Sequence, residues 1–397
     1  MRILFPHLAR FPSAEAPAVQ VANMAEAFAE LGHSVTLVAP VGPSGALGTE
    51  NERLGSILGH EPSFEVRTLS RRIHRGQSYL HAARIARMAR PGAVDLVFSR
   101  NLRGALLPAL RGVSTIFEAH TLSSLARPQD RRVLQRLVRA SGFRGIVAIS
   151  QALADDLVAE FSIDADLVLT AHDAVRLAGA PPNQRSRAPG SPLIVGYTGS
   201  LFPGRGIEQL LEVARRAPWI ELHLVGGPPE IAHRIESEIA RASEGSSSAT
   251  VVVHGPVSPV ESRAAQGRMD VLIAPFARRV STDSGVDSSR WMSPMKVFEY
   301  MASGRPIVIS DLPVLREVLR PNIDALMVPP EDPDALIAAL ERLRDDPELG
   351  GQLAASALER VRTQFTWELR ARRILERFVP EAPLREGADA TGVPERP

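Results

Sequence analysis

Short apolar runs alternate with helix-length segments along this chain, and residues 177–192 interrupt the alternation once. Before the interruption, Arg2–Phe5 reads as a strand and Val19–Leu31 as a helix ended by Gly32, with Val21, Met24, Ala25 and Phe28 on one face. Ser34–Val38 follows as a second strand, apolar almost throughout and so buried on both faces. A strand–helix–strand start implies parallel pairing with a right-handed crossover. Beyond the Gly- and Pro-rich loop Ala39–Gly48, strands are predicted at Phe64–Leu69, Asp95–Ser99, Thr115–Glu118, Gly145–Ser150 and Asp166–Thr170. Helices separate them at Tyr79–Ala89, Ala105–Leu110, Arg131–Ala140 and Gln151–Glu160, the last with Ser150 as its cap.

From Leu177 to Pro192 the chain reads Gly179, Pro181, Pro182, Asn183, Gln184, Arg185, Ser186, Arg187, Pro189, Gly190 and Pro192, which leaves little to bury and reads as a linker. Strands then recur at Leu193–Tyr197, Ile220–Val225, Thr250–His254, Val271–Ala274 and around Ile307, with helices at Gly206–Ala214, Glu230–Ala242, Glu261–Arg268, Pro333–Asp345 and Glu348–Phe365. A chain of 397 residues exceeds what one core supports. The expected fold class is therefore α/β: two Rossmann-like parallel-sheet domains, 1–178 and 193–365, joined by the linker 179–192. Their ligands belong in the cleft between the carboxyl ends of the two sheets. The tail 381–397 has charge, Pro and Gly but no periodicity, and reads as disordered.

Absence of cysteine excludes disulfides, thiolate catalysis and thiolate-ligated metals. The start, Met1-Arg2-Ile3-Leu4-Phe5-Pro6-His7, is too short an apolar run for a signal-peptide core, and no run reaches the roughly 18 apolar residues of a membrane span. A cytoplasmic location is expected. Net charge is +1, yet Glu61–Gly145 holds 16 arginines against five acids, a local +11. Such a field can attract anionic lipid headgroups or an acidic small molecule, and peripheral contact with an anionic membrane at its inner face is the expectation, with nucleic acid not an expected partner; a solvated basic face in an arginine-preferring sequence is the alternative.

Lys plus Arg total 46, and a single one of these is lysine, Lys296. It lies in Ser293–Gly304, read as a helix with Ser293 as N-cap, Pro294 in the first position and Gly304 at the left-handed exit. A cation in a first turn is disfavoured by the helix dipole, by up to about 1 kcal/mol, unless an anion binds at that helix start. Lysine is a compact ammonium where arginine is a planar fork, so the two are not interchangeable at a tight phosphate site. A plain i,i+3 pair between Lys296 and Glu299 on an exposed face is the alternative.

Several stretches resemble glycosyltransferase family 4, retaining enzymes of the GT-B fold that use nucleotide sugars. They are Gly196-Tyr197-Thr198-Gly199-Ser200 with Gly204-Arg205-Gly206, Leu224-Val225-Gly226-Gly227-Pro228, His254-Gly255-Pro256-Val257, Ser293-Pro294-Met295-Lys296-Val297-Phe298-Glu299-Tyr300-Met301-Ala302-Ser303-Gly304, and Asp324–Pro330. The resemblance spans nearly the whole chain, with most of its specificity between Val195 and Pro330. It implies that Arg205 and Lys296 meet the donor diphosphate beside Gly199 and Ser200, that Glu299 accepts from the ribose hydroxyls, and that backbone near Val257 meets the base edge. It implies that His120, at the end of the Thr115–Glu118 strand, approaches the donor sugar and the reaction centre, and that Ser13, Ala14 and Glu15 face the acceptor. It makes His172-Asp173-Ala174-Val175 a hinge and cleft wall, and Thr366-Trp367 the start of a helix, 366–380, that crosses back to the first domain. No metal or other cofactor is implied; the partners are a nucleotide-diphosphate sugar and a hydroxyl acceptor, soluble or lipid-linked.

The sequence departs from the family at three places. The paired acids of the family stand eight residues apart, and eight before Glu299 is Trp291. The arginine that relatives place five or six residues before the Arg205 position is Gly199 or Ser200 here, and the paired glycines after the first strand are replaced around Ser13-Ala14-Glu15. Trp291 keeps a non-catalytic nucleotide-sugar or glycan-binding homologue open, and a nucleotide-sugar 2-epimerase shares the fold. A dinucleotide oxidoreductase ranks below these because the first strand–helix turn carries no Gly-x-Gly-x-x-Gly.

Overall fold

The computed structural model describes residues 1–7, 11–13, 15–40, 50–69, 77–122, 125, 127–177, 179, 188, 190–242, 248–281 and 287–380. Most of the linker 179–192, the Ala39–Gly48 loop beyond Pro40, Ala14 and the tail from residue 381 lie outside the described residues. Strands β1 (Arg2–Pro6), β2 (Ser34–Pro40), β3 (Glu65–Leu69), β4 (Leu96–Ser99), β5 (Ser114–Ala119), β6 (Phe143–Ala148) and β7 (Val168–Thr170) form one sheet. Its order is β3-β2-β1-β4-β5-β6-β7, with every pair parallel. The second sheet runs β10 (Thr250–Gly255), β9 (Ile220–Val225), β8 (Leu193–Thr198), β11 (Val271–Ala274), β12 (Ile307–Ser310), β13 (Leu326–Val328), again all parallel. Parallel strands must be covered on both faces, which is why β4, β11 and β12 are buried from end to end. Strand order reverses between β1 and β4 in the first sheet and between β8 and β11 in the second, and each reversal opens a crevice at the carboxyl ends.

Helices α1 (Ala16–Glu30), α3 (Gln77–Met88), α4 (Leu102–Leu110), α5 (Pro128–Val138) and α6 (Gln151–Phe161) fall where the apolar periodicity indicated, within a few residues. Ser150 caps α6 by accepting from the Leu153 amide at 3.2 Å. Helix α2 (Glu50–Leu58) was not predicted, since Gly55 and a largely polar first half hide the apolar set Leu54, Ile57 and Leu58 that it buries. Strand β13 was missed because three residues carry no period. The second domain adds α7 (Ile207–Arg216), α8 (Pro229–Ala242), α9 (Pro259–Gln266), α10 (Met295–Ala302), α11 (Pro333–Asp345) and α12 (Pro347–Gln364). Among the described residues no helix is long and apolar enough to cross a membrane.

One last helix, α13 (Trp367–Phe378), starts at the seam between the domains, capped by Thr366, whose Oγ1 accepts from the Leu369 amide. Trp367, Ala371, Ile374, Leu375 and Phe378 sit in the first domain's core with Ile3, Phe5 and the inner face of α1. Each large side chain buried there contributes about 1.5–3 kcal/mol gross, so the helix is part of that core although its chain comes from the second domain. Its end rests on Gly145 of β6, where an added Cβ would lie 2.1 Å from the Phe378 ring. Gly145→Val should therefore lower stability by about 1–3 kcal/mol, read as a drop in melting temperature; an unchanged melting temperature would show that Phe378 does not seat against β6.

Candidate active site

Helix α10 begins at Met295, with Pro294 in the N-cap position and no side chain accepting from its first amides. This corrects the expected cap: the Ser293 hydroxyl turns away and accepts from the Asp173 amide of the other domain at 2.8 Å. Gly304 does take the left-handed exit, at φ +67°. In that first turn the Lys296 ammonium is buried, has no hydrogen-bond partner, and lies 3.8 Å above the Tyr197 ring and 5.7 Å from the Phe276 ring. The i,i+3 pair with Glu299 is not formed. Gly199 follows β8 at φ +119°, and a Cβ there would come within 2.9 Å of Lys296 Nζ, so only glycine lets the ammonium approach.

Arg205 brings a second cation to the same aromatic ring, its guanidinium carbon 5.8 Å from Phe276. It stands just before α7, whose N-cap, Gly206, offers no side chain to the first amides. Two helix starts without side-chain caps thus stand beside two cations. Burial first, then the field of Arg205, drives the Lys296 amine well below its ordinary range, with Glu299 opposing. The turn between β8 and α7 is held by the Tyr197 hydroxyl, which donates to the Ser200 carbonyl at 2.6 Å.

Glu299 lies one turn beyond Lys296, and burial pushes its carboxyl up while Arg263, Gln266 and Lys296 pull it down. Gln266 of α9 orients it, donating to Glu299 Oε2 at 3.3 Å and to Thr198 Oγ1 at 3.0 Å. The Tyr300 hydroxyl accepts from the Thr198 amide at 2.8 Å, fixing β8 against α10. Val257 sits between β10 and α9, where Ser258 and Glu261 form a capping box. Gln266 and Arg263 were not read from the sequence. Tyrosine was a usable signal: the chain has three, and two of them, Tyr197 and Tyr300, line this site.

In the first domain His120 stands one residue beyond β5, its Nε2 3.2 Å from Glu118 Oε2. Glu118 is buried and also accepts from Arg370 of α13 at 2.5 Å and from Gln20 of α1 at 3.0 Å. Burial alone would raise its carboxyl, but Arg370, then His120 and Arg100, hold it far below the carboxylate range. Burial and Arg100 bring His120 down to about 4, so the imidazole is neutral. Arg100 donates to the Gln20 side chain at 2.8 Å and to the Pro17 carbonyl at 3.1 Å. Asp173, which reaches this network from the hinge, is pushed up to about 6 by burial against the pull of Arg370. His7, Arg100, Glu118 and Arg370 were not among the residues expected here.

Of the expected acceptor-side residues, Ser13 and Glu15 lead into α1, the Glu15 amide donating to Ser13 Oγ at 3.4 Å, and Ala14 lies outside the described residues. Trp291 belongs to the seam: its indole donates to Asp156 of α6 at 2.7 Å, its carbonyl accepts from Ser150 Oγ at 3.1 Å, and Arg290 forks onto the same Asp156.

Two sequence profiles match the chain, Glycosyltransferase Family 4 over residues 17–178 and Glycosyl transferases group 1 over residues 192–346. The lipopolysaccharide core biosynthesis glycosyltransferase LpsD of Rhizobium meliloti (strain 1021) is 41% identical over 69 residues, which is 17% of this chain and 20% of that protein. Among solved structures, sucrose-phosphate synthase from Thermosynechococcus elongatus superposes with a TM-score of 0.67 at 19% identity, covering 94% of this chain and 97% of that one. HepE of Anabaena in complex with UDP gives 0.68 at 15% identity over 95% and 99% of the two chains. The lipopolysaccharide outer core galactosyltransferase WaaB gives 0.63 at 15% identity over 96% and 100%. The two facing sheets are those of the GT-B fold.

A carboxyl raised on folding contributes stability below its unfolded pKa and loses it as pH rises through the folded one, so Asp173 costs stability above about pH 6. Asp173→Asn should stabilise the protein more at pH 8 than at pH 5, by about 1–1.5 kcal/mol, in paired thermal melts. Equal effects at both pH values would show that the carboxyl is not desolvated.

Proposed function

The chain is a glycosyltransferase of the family 4 and group 1 class, and from that premise we propose that it moves a sugar from a nucleotide-diphosphate sugar to a hydroxyl acceptor, retaining the anomeric configuration and using no bound metal. The observation that carries this is Lys296, a buried ammonium without a hydrogen-bond partner, next to Arg205 and between two helix starts that lack side-chain caps. A diphosphate neutralises both cations and accepts from both helix starts. As the bond from the anomeric carbon to the diphosphate oxygen breaks, negative charge grows where these donors already point, which lowers the barrier. These fixed charges take the part that a divalent cation plays elsewhere.

In this reading a departing phosphate oxygen takes the proton of the acceptor hydroxyl on the face the leaving group vacates, so no protein nucleophile is required. Neutral His120 offers a hydrogen bond to a donor-sugar hydroxyl. Glu299, oriented by Gln266, accepts from the ribose hydroxyls, and backbone at Val257 meets the base. Solved complexes of HepE with UDP and with UDP-glucose support a uridine nucleotide as donor. The names of LpsD and WaaB support a glycan acceptor. The arginine-rich segment 61–145 would bring such an enzyme to an anionic membrane surface. Trp291, engaged at the seam between the domains, leaves the diphosphate site intact and so does not favour a non-catalytic homologue.

Calorimetry with UDP- and GDP-sugars tests the donor site. Lys296→Ala should weaken nucleotide-sugar binding about 10- to 100-fold, the worth of one or two charge-assisted hydrogen bonds. Lys296→Arg should recover little of it, because Gly199 makes room for an ammonium and not for a fork; no binding of any nucleotide sugar by the unaltered protein would sink the proposal. EDTA should change the rate of nucleotide release less than about twofold if fixed cations serve the leaving group. Binding to anionic liposomes that falls as salt rises tests the membrane contact, and its absence at low salt would assign the enzyme a soluble acceptor.

A further inference from the structure

Helix α1 carries two acids one turn apart near its end, Glu26 and Glu30, and His60 lies in the connection between α2 and β3. Each can offer one ligand atom, and the three atoms lie within 4.8 Å of one another. Glu30 and His60 precede the first residues of β2 and β3, whereas His7, Arg100 and His120 follow the last residues of β1, β4 and β5. The group thus belongs toward the end of the sheet away from the crevice, and no step of glycosyl transfer uses it.

Glu26 is fully enclosed, yet its Oε1 has no hydrogen-bond partner. Its other oxygen accepts from the Ser63 amide at 2.8 Å, which fixes the carboxylate and leaves Oε1 3.7 Å from His60 Nδ1. That gap is too long for a hydrogen bond. Nδ1 is instead held 2.8 Å from the Glu61 carbonyl, and because a carbonyl only accepts, Nδ1 carries a proton there. Arg176 answers one of the two acids, donating to Glu30 Oε1 at 2.5 Å. The enclosed carboxylate is left without a bonded cation, and a buried charge in that position is costly unless something pairs with it.

We propose that Glu26, Glu30 and His60 bind a divalent transition ion of the Zn²⁺ class. One imidazole with two carboxylates is a mixed nitrogen and oxygen set, which suits Zn²⁺, whereas Mg²⁺ and Ca²⁺ take oxygen ligands. An ion on Nδ1 takes the place of its proton, which leaves to solvent, and brings Glu26 Oε1 the positive charge it lacks. Bound there, it ties the last turns of α1 to the connection that follows α2. The neighbouring contacts reach beyond the first domain's own sheet: Arg263 of α9 donates to the Ile57 carbonyl of α2 at 3.3 Å, and Arg176, on Glu30, lies one residue past the Val175 pairing with Thr366. The ion is structural, holding a part of the first domain on which the second rests.

The test is calorimetric titration of Zn²⁺, and separately of Mg²⁺ and Ca²⁺, into the metal-stripped full chain at about pH 7.5, where ligand protons compete weakly. His223 and His254 bring two ring nitrogens within 2.9 Å of each other, so every sample carries His254→Gln to remove that competing pair. One Zn²⁺ per chain should bind with a Kd of about 10 μM or tighter and raise the melting temperature. His60→Gln and Glu30→Gln, both at exposed positions, should each weaken binding at least about tenfold and remove the thermal shift. Melts without metal show that each variant is folded, and one folded variant suffices. No binding at about 100 μM Zn²⁺ would leave His60 alone to face Glu26 and overturn the assignment. Full Zn²⁺ binding in a folded variant, or a preference for Mg²⁺ or Ca²⁺, would overturn it as well.

Discussion

Two positive side chains share one aromatic ring in a dry cleft, and much of the second domain is arranged to keep them there. Lys296 and Arg205 both approach Phe276, each raising the cost of the other's charge, and Tyr197 supplies a ring face instead of a carboxylate. A unit charge held beside another of like sign costs several kcal/mol at the effective dielectric of a partly buried site. The fold offsets that cost with large buried side chains such as Tyr197, Tyr300, Phe276 and Phe298, each fully enclosed. Burial and the field of Arg205 both disfavour the charged form of Lys296, and a negative charge beside it would favour that form again.

The seam between the domains sets where the Lys296 helix stands relative to the first sheet. Among the polar contacts that cross it are three joints beside α10 and α6. Ser293 accepts from the Asp173 amide, Trp291 and Arg290 grip Asp156, and Glu317 joins Ser150 at the start of α6, accepting from the Gln151 and Ala152 amides at 2.6 and 3.1 Å and meeting His172 at 2.8 Å. Two of the three joints come from the loop that leads into α10, so a movement of that loop changes the Lys296 helix and the domain spacing together. The carboxylate that seats on α6 comes from the protein itself, whereas α7 and α10, like α1 and α5, start without a side-chain cap.

Periodicity made the sheets legible because parallel strands are apolar on both faces. Lys296 stood out by composition alone. The helix cap was misread because Ser293, placed as a cap should be, is drawn across the seam by an amide 120 residues away in sequence, a contact no local rule sees. Arg370 was legible in principle: in α13 it occupies the apolar stripe, one turn from Trp367 and adjacent to Ala371, and an arginine there must meet a buried acid. His7 and Arg100 carried no such mark, since each is simply the residue after a short strand and becomes notable only when strand order places the two side by side.

That strand order also explains why a helix from the far end of the chain reaches the first domain's polar floor. Glu118 must stay ionised to hold His120, and a buried carboxylate with one partner would not. Arg100 contributes at 3.9 Å, too far to do this alone, and Arg370 supplies the close contact through Nη2, which also donates to the Ala171 carbonyl, while its Nε donates to the His172 carbonyl. The same side chain thus ties the hinge, the crossing helix and the carboxylate under His120 into one unit. Because α13 continues from α12, which packs on the second domain beside α10, the position of His120 is referenced to the body that carries Lys296. The common reference of the two sheets is thus a buried guanidinium with neighbours from both ends of the chain.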